Sequence, residues 1–167
     1  MNSRLGKLCR LRAFGRDERG VQLVELALVL PLMMMLFGAA AEFGRYFYEY
    51  TTLAKASRVS ARYLVTAKTD GTQDLAAKNL VVYGNTQGTG TPVLTGLTIS
   101  NIVIVRKDKN GAAQVGGVPQ TVTVQISNYT HQPIFDLGKL TNNTALSLNI
   151  AVKPSVTMRY LLTTPLV

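Results

Sequence analysis

From Val21 to Ala41 the chain carries a single charge, Glu25, in 21 residues. A helix rises about 1.5 Å per residue, so a run of this length matches the roughly 30 Å hydrocarbon core of a bilayer. Its inner part, Leu26 to Ala41 ("LALVLPLMMMLFGAAA"), is uncharged. A helix this apolar on every side needs lipid or protein around it, and that requirement constrains the fold more than any other feature. Pro31 removes one backbone hydrogen bond inside the run and is a site for a local kink.

The flanks set an orientation. Arg4, Lys7, Arg10, Arg12, Arg16 and Arg19 precede the run, whereas Arg45, Lys55 and Arg58 are the basic residues in the twenty that follow. Basic residues stay on the cytoplasmic side, so the N-terminus is expected in the cytoplasm and the remainder across the bacterial inner membrane, with a single pass. Of the net charge of +9, the leader over 1–20 holds +4, and the remaining +5 is spread over the rest of the chain. The basic residues beyond it are scattered and form no stripe with interleaved aromatics, so nucleic acid is not an expected partner. The one cysteine, Cys9, permits neither an intrachain disulfide nor a cysteine-based metal site.

The helical pattern continues past the apolar run. Phe43, Tyr46, Phe47, Tyr50, Leu53, Ala54, Ser57, Ala61 and Leu64 follow three/four spacing, with Arg45, Glu49, Thr52, Lys55 and Arg62 mostly on the opposite side. One helix from about Leu23 to Thr66 is expected, and the tyrosines after the span suit a membrane–water interface. "TDGTQD" breaks the pattern and opens a short helix through Tyr83; "YGNTQGTGTP" reads as a loop. The period then changes to two. "LTISNIVIVR", "TVTVQIS", "LSLNIAVK" and "SVTMRY" are strand candidates, the second with Val122, Val124 and Ile126 on one face and the third with Leu146, Leu148, Ile150 and Val152. The expected fold is α+β: a long N-terminal membrane-spanning helix whose amphipathic half packs on a small antiparallel sheet of three to four strands. The domain reading is a basic leader over 1–20, a helix over 21–66 and a periplasmic head over 67–167.

Motifs for catalysis are lacking. His131, the only histidine, lies in the turn-like "NYTHQP" and reads as a solvated or structural residue. Asp70, Thr72 and Asp74 imitate the start of a calcium loop, but Leu75 and Val81 stand where its glycine and bidentate glutamate belong, so they read as helix-start acids. The glycine-rich "GNTQGTGTP" lacks the Gly-Lys-Ser/Thr ending of a phosphate loop. No catalytic residue, cofactor or metal is expected.

Glu25 is the informative exception, because a charge within a bilayer costs about 3 kcal/mol or more unless it is paired. Three readings accommodate it. In a plain signal anchor it lies near the headgroups. In a secretory signal the chain is cut after Ala41, at the small-residue site Ala39-Ala40-Ala41, and releases an envelope binding module. In a prepilin-type leader the cut follows Gly20. Val21 then becomes the new N-terminus, and Glu25 lies fifth in the mature chain, about one helical turn from the new amine. That amine, on the same or a neighbouring subunit, is a partner for the carboxylate, and their pairing sets the axial register of packed helices.

The stretch "RDERGVQLVELALVLPLMMMLFGAAAEFGRYFYEYTTLAKASRVSARYLV" resembles the N-terminal region of TadE-like proteins, pseudopilins or minor pilins of the tight-adherence, Flp-type pilus system. The resemblance rests on Gly20, Glu25, "ALVLP", "EFGR" and "ASRVSARY", and more loosely on "AAKNLVVYG" and "TMRY". It implies processing by a prepilin peptidase between Gly20 and Val21, with Glu25 as the fifth-position acid. It also implies an inner-membrane pool, partnership with other pilins and the assembly machinery, and a role in adhesion and biofilm formation. Leu26 stands where Flp-type prepilins often have an aromatic residue. That difference, with the 101 residues from 67 to 167, favours a pseudopilin over the short major pilin.

Overall fold

A computed structural model describes residues 18–114 and 117–161. Most of the basic leader, with Cys9, therefore lies outside the described residues. The chain divides into two compact units, Met1–Ala41 and Glu42–Val167.

In the first unit the described residues are helical, the opening part of helix α1 (Glu18–Leu64). Val21, Leu23, Leu26, Leu28 and Phe37 are all exposed. The helix is long and apolar enough to cross a membrane, with a most apolar window of mean hydropathy 2.2 that buries none of its residues. Pro31 is accommodated within it.

The second unit is built around the later turns of α1, helix α2 (Asp74–Tyr83) and strands β1 (Ile102–Lys107), β2 (Thr121–Ile126) and β3 (Ser155–Arg159). The strands form one antiparallel sheet in the order β1-β2-β3. Ile102 pairs with Ile126 and Ile104 with Val124 on one side of β2; Val124 pairs with Val156 and Val122 with Met158 on the other. This register puts the apolar set on one face, since side chains alternate along each strand. Leu53, Ala61 and Leu64 of α1, Ala77, Val81 and Val82 of α2, and Val122, Val124 and Ile126 of β2 join one buried core. On the opposite face Thr123 and Thr157 link their hydroxyls at 2.8 Å.

The joints are explicit. Ser60 donates its hydroxyl to the Ala77 carbonyl at 2.8 Å, tying α1 to α2. Arg106 grips the Asp74 carboxylate with both terminal nitrogens, which ties β1 to the first turn of α2. The carbonyls of Val65 and Ala67, which a helix end leaves without intrahelical partners, accept from the Leu161 amide and the Tyr160 hydroxyl. Gly84 ends α2 in the left-handed conformation, φ 73°, and returns its amide to Leu80.

Two expectations change. The "LSLNIAVK" stretch is not a strand: Leu146 and Ile150 are exposed, and pairing shrinks to one bridge between Thr130 and Ala151. Local donors and acceptors win there. Asp136 caps the short helix α3 (Leu137–Thr141) and also accepts from the Ser147 hydroxyl and the Leu148 amide, while Thr144–Leu146 forms a helical turn. These bonds satisfy the backbone without a ladder. The face of α1 also differs. Phe43 and Phe47 are exposed, whereas Glu42 is buried and Glu49 lies on the same inward face, followed by Leu53, Ser57, Ser60, Ala61 and Leu64. The physical reason is His131.

Candidate functional site

Gly20, Val21 and Glu25 lie in the first unit, on exposed turns of α1. A side chain added at Gly20 would meet nothing within 4 Å. Among the described residues Glu25 has no ion pair, so its carboxylate is presented outward from an apolar helix. Glu25 is four residues beyond Val21, which places the two on one helical face.

The second unit holds a polar cluster around His131, whose ring is 1% exposed. Its Nε2 lies 3.1 Å from a Glu42 oxygen and its Nδ1 lies 2.9 Å from a Glu49 oxygen. Glu42 and Glu49 are seven residues apart, two turns of one helix, so the imidazole bridges two turns. Tyr46, between them on the same face, meets the ring edge-on with centroids 5.9 Å apart. The other Glu42 oxygen accepts the backbone amides of Ile134 at 3.0 Å and Phe135 at 2.9 Å, and Arg45 adds a charged bond at 2.9 Å. Burial pushes the Glu42 carboxyl up, but the Phe135 amide, His131 and the Arg45 guanidinium together outweigh it and hold the group below its ordinary value.

This cluster locks the 131–135 segment onto α1. Both imidazole nitrogens are committed to carboxylates, which leaves none to coordinate a metal or to move a substrate proton. His131 is thus a structural residue, one of the two alternatives its loop position offered, and Glu42 and Glu49 are the partners the helical pattern missed. The signal available was the spacing of the acids at 42 and 49 with Tyr46 between them. Its meaning depended on a residue 82 positions beyond Glu49.

Asp70 accepts the Thr72 amide and hydroxyl, at 3.0 and 2.7 Å, and Asp74 is held by Arg106, so these acids serve the start of α2. Among the described residues no group of three or more His, Cys, Asp or Glu side chains is placed to hold a metal. A cleft of about 640 Å³ beside Arg106 and Gly117, and one of about 450 Å³ beside Glu49 and Tyr129, are open surface grooves.

No curated protein matches the chain, and no solved structure does. Residues 20–62 match the family model described as TadE-like protein. That stretch, about a quarter of the chain, runs from Gly20 through Glu25 and the inward Glu42 and Glu49, so the similarity to TadE-like proteins lies along the N-terminal helix.

Proposed function

We propose that the protein is a non-enzymatic pseudopilin, a minor pilin of a tight-adherence pilus. Its basic leader, 1–20, stays in the cytoplasm and is removed by a prepilin peptidase after Gly20. The helix over 21–66 anchors the mature chain in the inner membrane, and the head over 67–167 faces the periplasm. The observation that carries the reading is Glu25: an outward carboxylate with no ion pair among the described residues, in an apolar helix whose family match begins at residue 20. An unpaired charge is costly in lipid, and cutting after Gly20 creates a cation about 6 Å away along the same helical face. Pairing with that amine, on its own or a neighbouring subunit, makes the acid tolerable in the membrane pool and register-setting in an assembly that supports adhesion and biofilm growth.

The uninterrupted helix through Ala39-Ala40-Ala41 also supports this reading over secretion. A cut after Ala41 would make Glu42 a chain end and fray the turn that carries the His131 cluster.

N-terminal sequencing of the mature chain tests the reading. A start at Val21 is expected, a start at Glu42 would overturn it, and retention of Met1 beside an active prepilin peptidase would leave a plain anchor. Gly20→Val, at a site open enough to keep the helix, is expected to accumulate the uncut precursor. Glu25→Ala is expected to insert normally and to reduce incorporation into, or assembly of, pili; normal piliation would remove Glu25 from the mechanism.

A further inference from the structure

The sheet of the second unit ends in two edges that differ. At β1 the chain returns along the outer side: the Gln114 amide donates to the Arg106 carbonyl at 3.0 Å, and Lys107 bridges Ala113. At β3 the outer side is open. The Tyr160 amide donates to the Gln120 carbonyl and the Ile126 amide to the Pro154 carbonyl. Peptide groups alternate in direction along a strand, so Val156 and Met158 turn theirs toward β2 while Ser155, Thr157 and Arg159 turn theirs away from the sheet. Among the described residues the outward amides and carbonyls of Ser155, Thr157 and Arg159 have no partner. The side chains of these residues are exposed and those of Val156 and Met158 only half-buried, so the apolar face is incompletely covered here. Such an edge is a template for another strand unless a proline or a bulge blunts it. β3 contains no proline, and its pairing with β2 runs without a bulge.

We propose that β3 pairs with β3 of a second copy of the chain, antiparallel about Thr157, to give one sheet continuous across both heads. The strand complements itself in this register. Thr157 lies opposite its own counterpart and exchanges both bonds with it, while Ser155 of each copy exchanges both with Arg159 of the other. Every outward amide and carbonyl of both strands is then satisfied. Val156 of each copy meets Met158 of the other at the closer pairs, which covers the half-buried apolar edge, and Arg159 faces a serine rather than a like charge. The neighbouring registers are worse. Sliding the strands until Val156 meets itself sets Lys153 opposite Arg159, two cations. Sliding them until Met158 meets itself sets Ser155 opposite Leu161, whose amide is already given to the Val65 carbonyl. Every group involved belongs to the second unit, so the pairing stands apart from the role of the apolar run.

Full-length protein in detergent, carrying Cys9→Ser so that any thiol is an introduced one, tests the pairing. Directly opposed residues of a hydrogen-bonded pair lie about 5.5 Å apart at Cα, within reach of a disulfide. Thr157→Cys is expected to cross-link to itself under mild oxidation, whereas Lys107→Cys, exposed on β1 at the occupied edge, is not. Thr157→Lys and Thr157→Glu each set a charge against its own counterpart and are expected to weaken association about fivefold in sedimentation equilibrium. An equal mixture of the two is expected to restore association, a recovery that misfolded variants could not give. No preference for cross-linking at 157 over 107 would overturn the pairing, as would association that neither charge weakens. Weakening by each charge without recovery in the mixture would overturn it too, because residue 157 would then not lie opposite itself.

Discussion

Removing the Glu42 carboxylate leaves the Ile134 and Phe135 amides and the Arg45 guanidinium without this acceptor, and His131 Nε2 without its partner. Two of them are backbone groups in a loop with no ladder to replace the bonds. Leaving buried partners unpaired is among the larger single-residue penalties, so Glu42→Ala is expected to destabilise the head by on the order of 3 kcal/mol, read as a lowered thermal midpoint of the full chain in detergent. The acid dependence has a definite sign. The folded Glu42 carboxyl titrates below its ordinary value of 4.5, so the stability it contributes is complete above that pH and is lost as pH falls through the lower folded value. Arg45, His131 and Glu49 are the charged or titratable groups facing it. Asp136, held below its ordinary value of 3.8 by the Gly138 and Leu148 amides and the Ser147 hydroxyl against the opposing push of burial, acts in the same direction. Melting from pH 6 downward should therefore show a steep acid loss, and Glu42→Gln should flatten it.

At the scale of elements, the stretch from Leu146 to Val152 shows how a sound alternating pattern fails to become a strand. Its partner candidate near Thr130 is used by the Glu42 cluster within one residue, and Pro133 interrupts it soon after. On the other side Asp136 takes the donors at Ser147 and Leu148. What forms instead is a close crossing of α3 over residue 147. A side chain added at Gly138 would lie 2.8 Å from the Ser147 backbone, closer than real contacts allow. Gly138→Ala is expected to force the crossing apart and cost about 1–3 kcal/mol, measurable as a drop in thermal midpoint and as faster amide exchange at Leu148. The strands that do form were legible. β2 buries Val122, Val124 and Ile126, the face that alternation assigned to the core, and β3 half-buries Val156 and Met158 against it, because pairing on both sides of β2 rewards the same register.

At the scale of the molecule, the core belongs entirely to the second unit: every buried side chain named in it lies between Leu53 and Tyr160. The apolar surface of the first unit is exposed and contributes nothing to that core. Leu28→Ala is therefore expected to leave the melting of the head unchanged within error, although a Leu→Ala change in a packed core typically costs about 2–5 kcal/mol. Near-UV circular dichroism of the full-length protein, which reports the head tyrosines, checks this. A shift of several degrees would mean that α1 stabilises the head through its apolar half.

The sequence alone determined the apolar run, its flanking charge, the place of Glu25 five residues after Gly20, the α+β class and two strand faces. These are local or periodic properties, and hydropathy and alternation report them directly. It also carried the similarity to TadE-like proteins, which lies along a single helix. Tertiary structure decided which face of that helix turns inward after Ala41. Periodicity ranks a glutamate as outward because it prices an isolated charge. The inward Glu42 and Glu49 are favoured once His131 and two amides, some ninety residues later in the chain, supply the bonds that water would otherwise provide. The same long-range bonds place Ile134 and Phe135 against Glu42, a proximity that no reading of spacing along the chain contains.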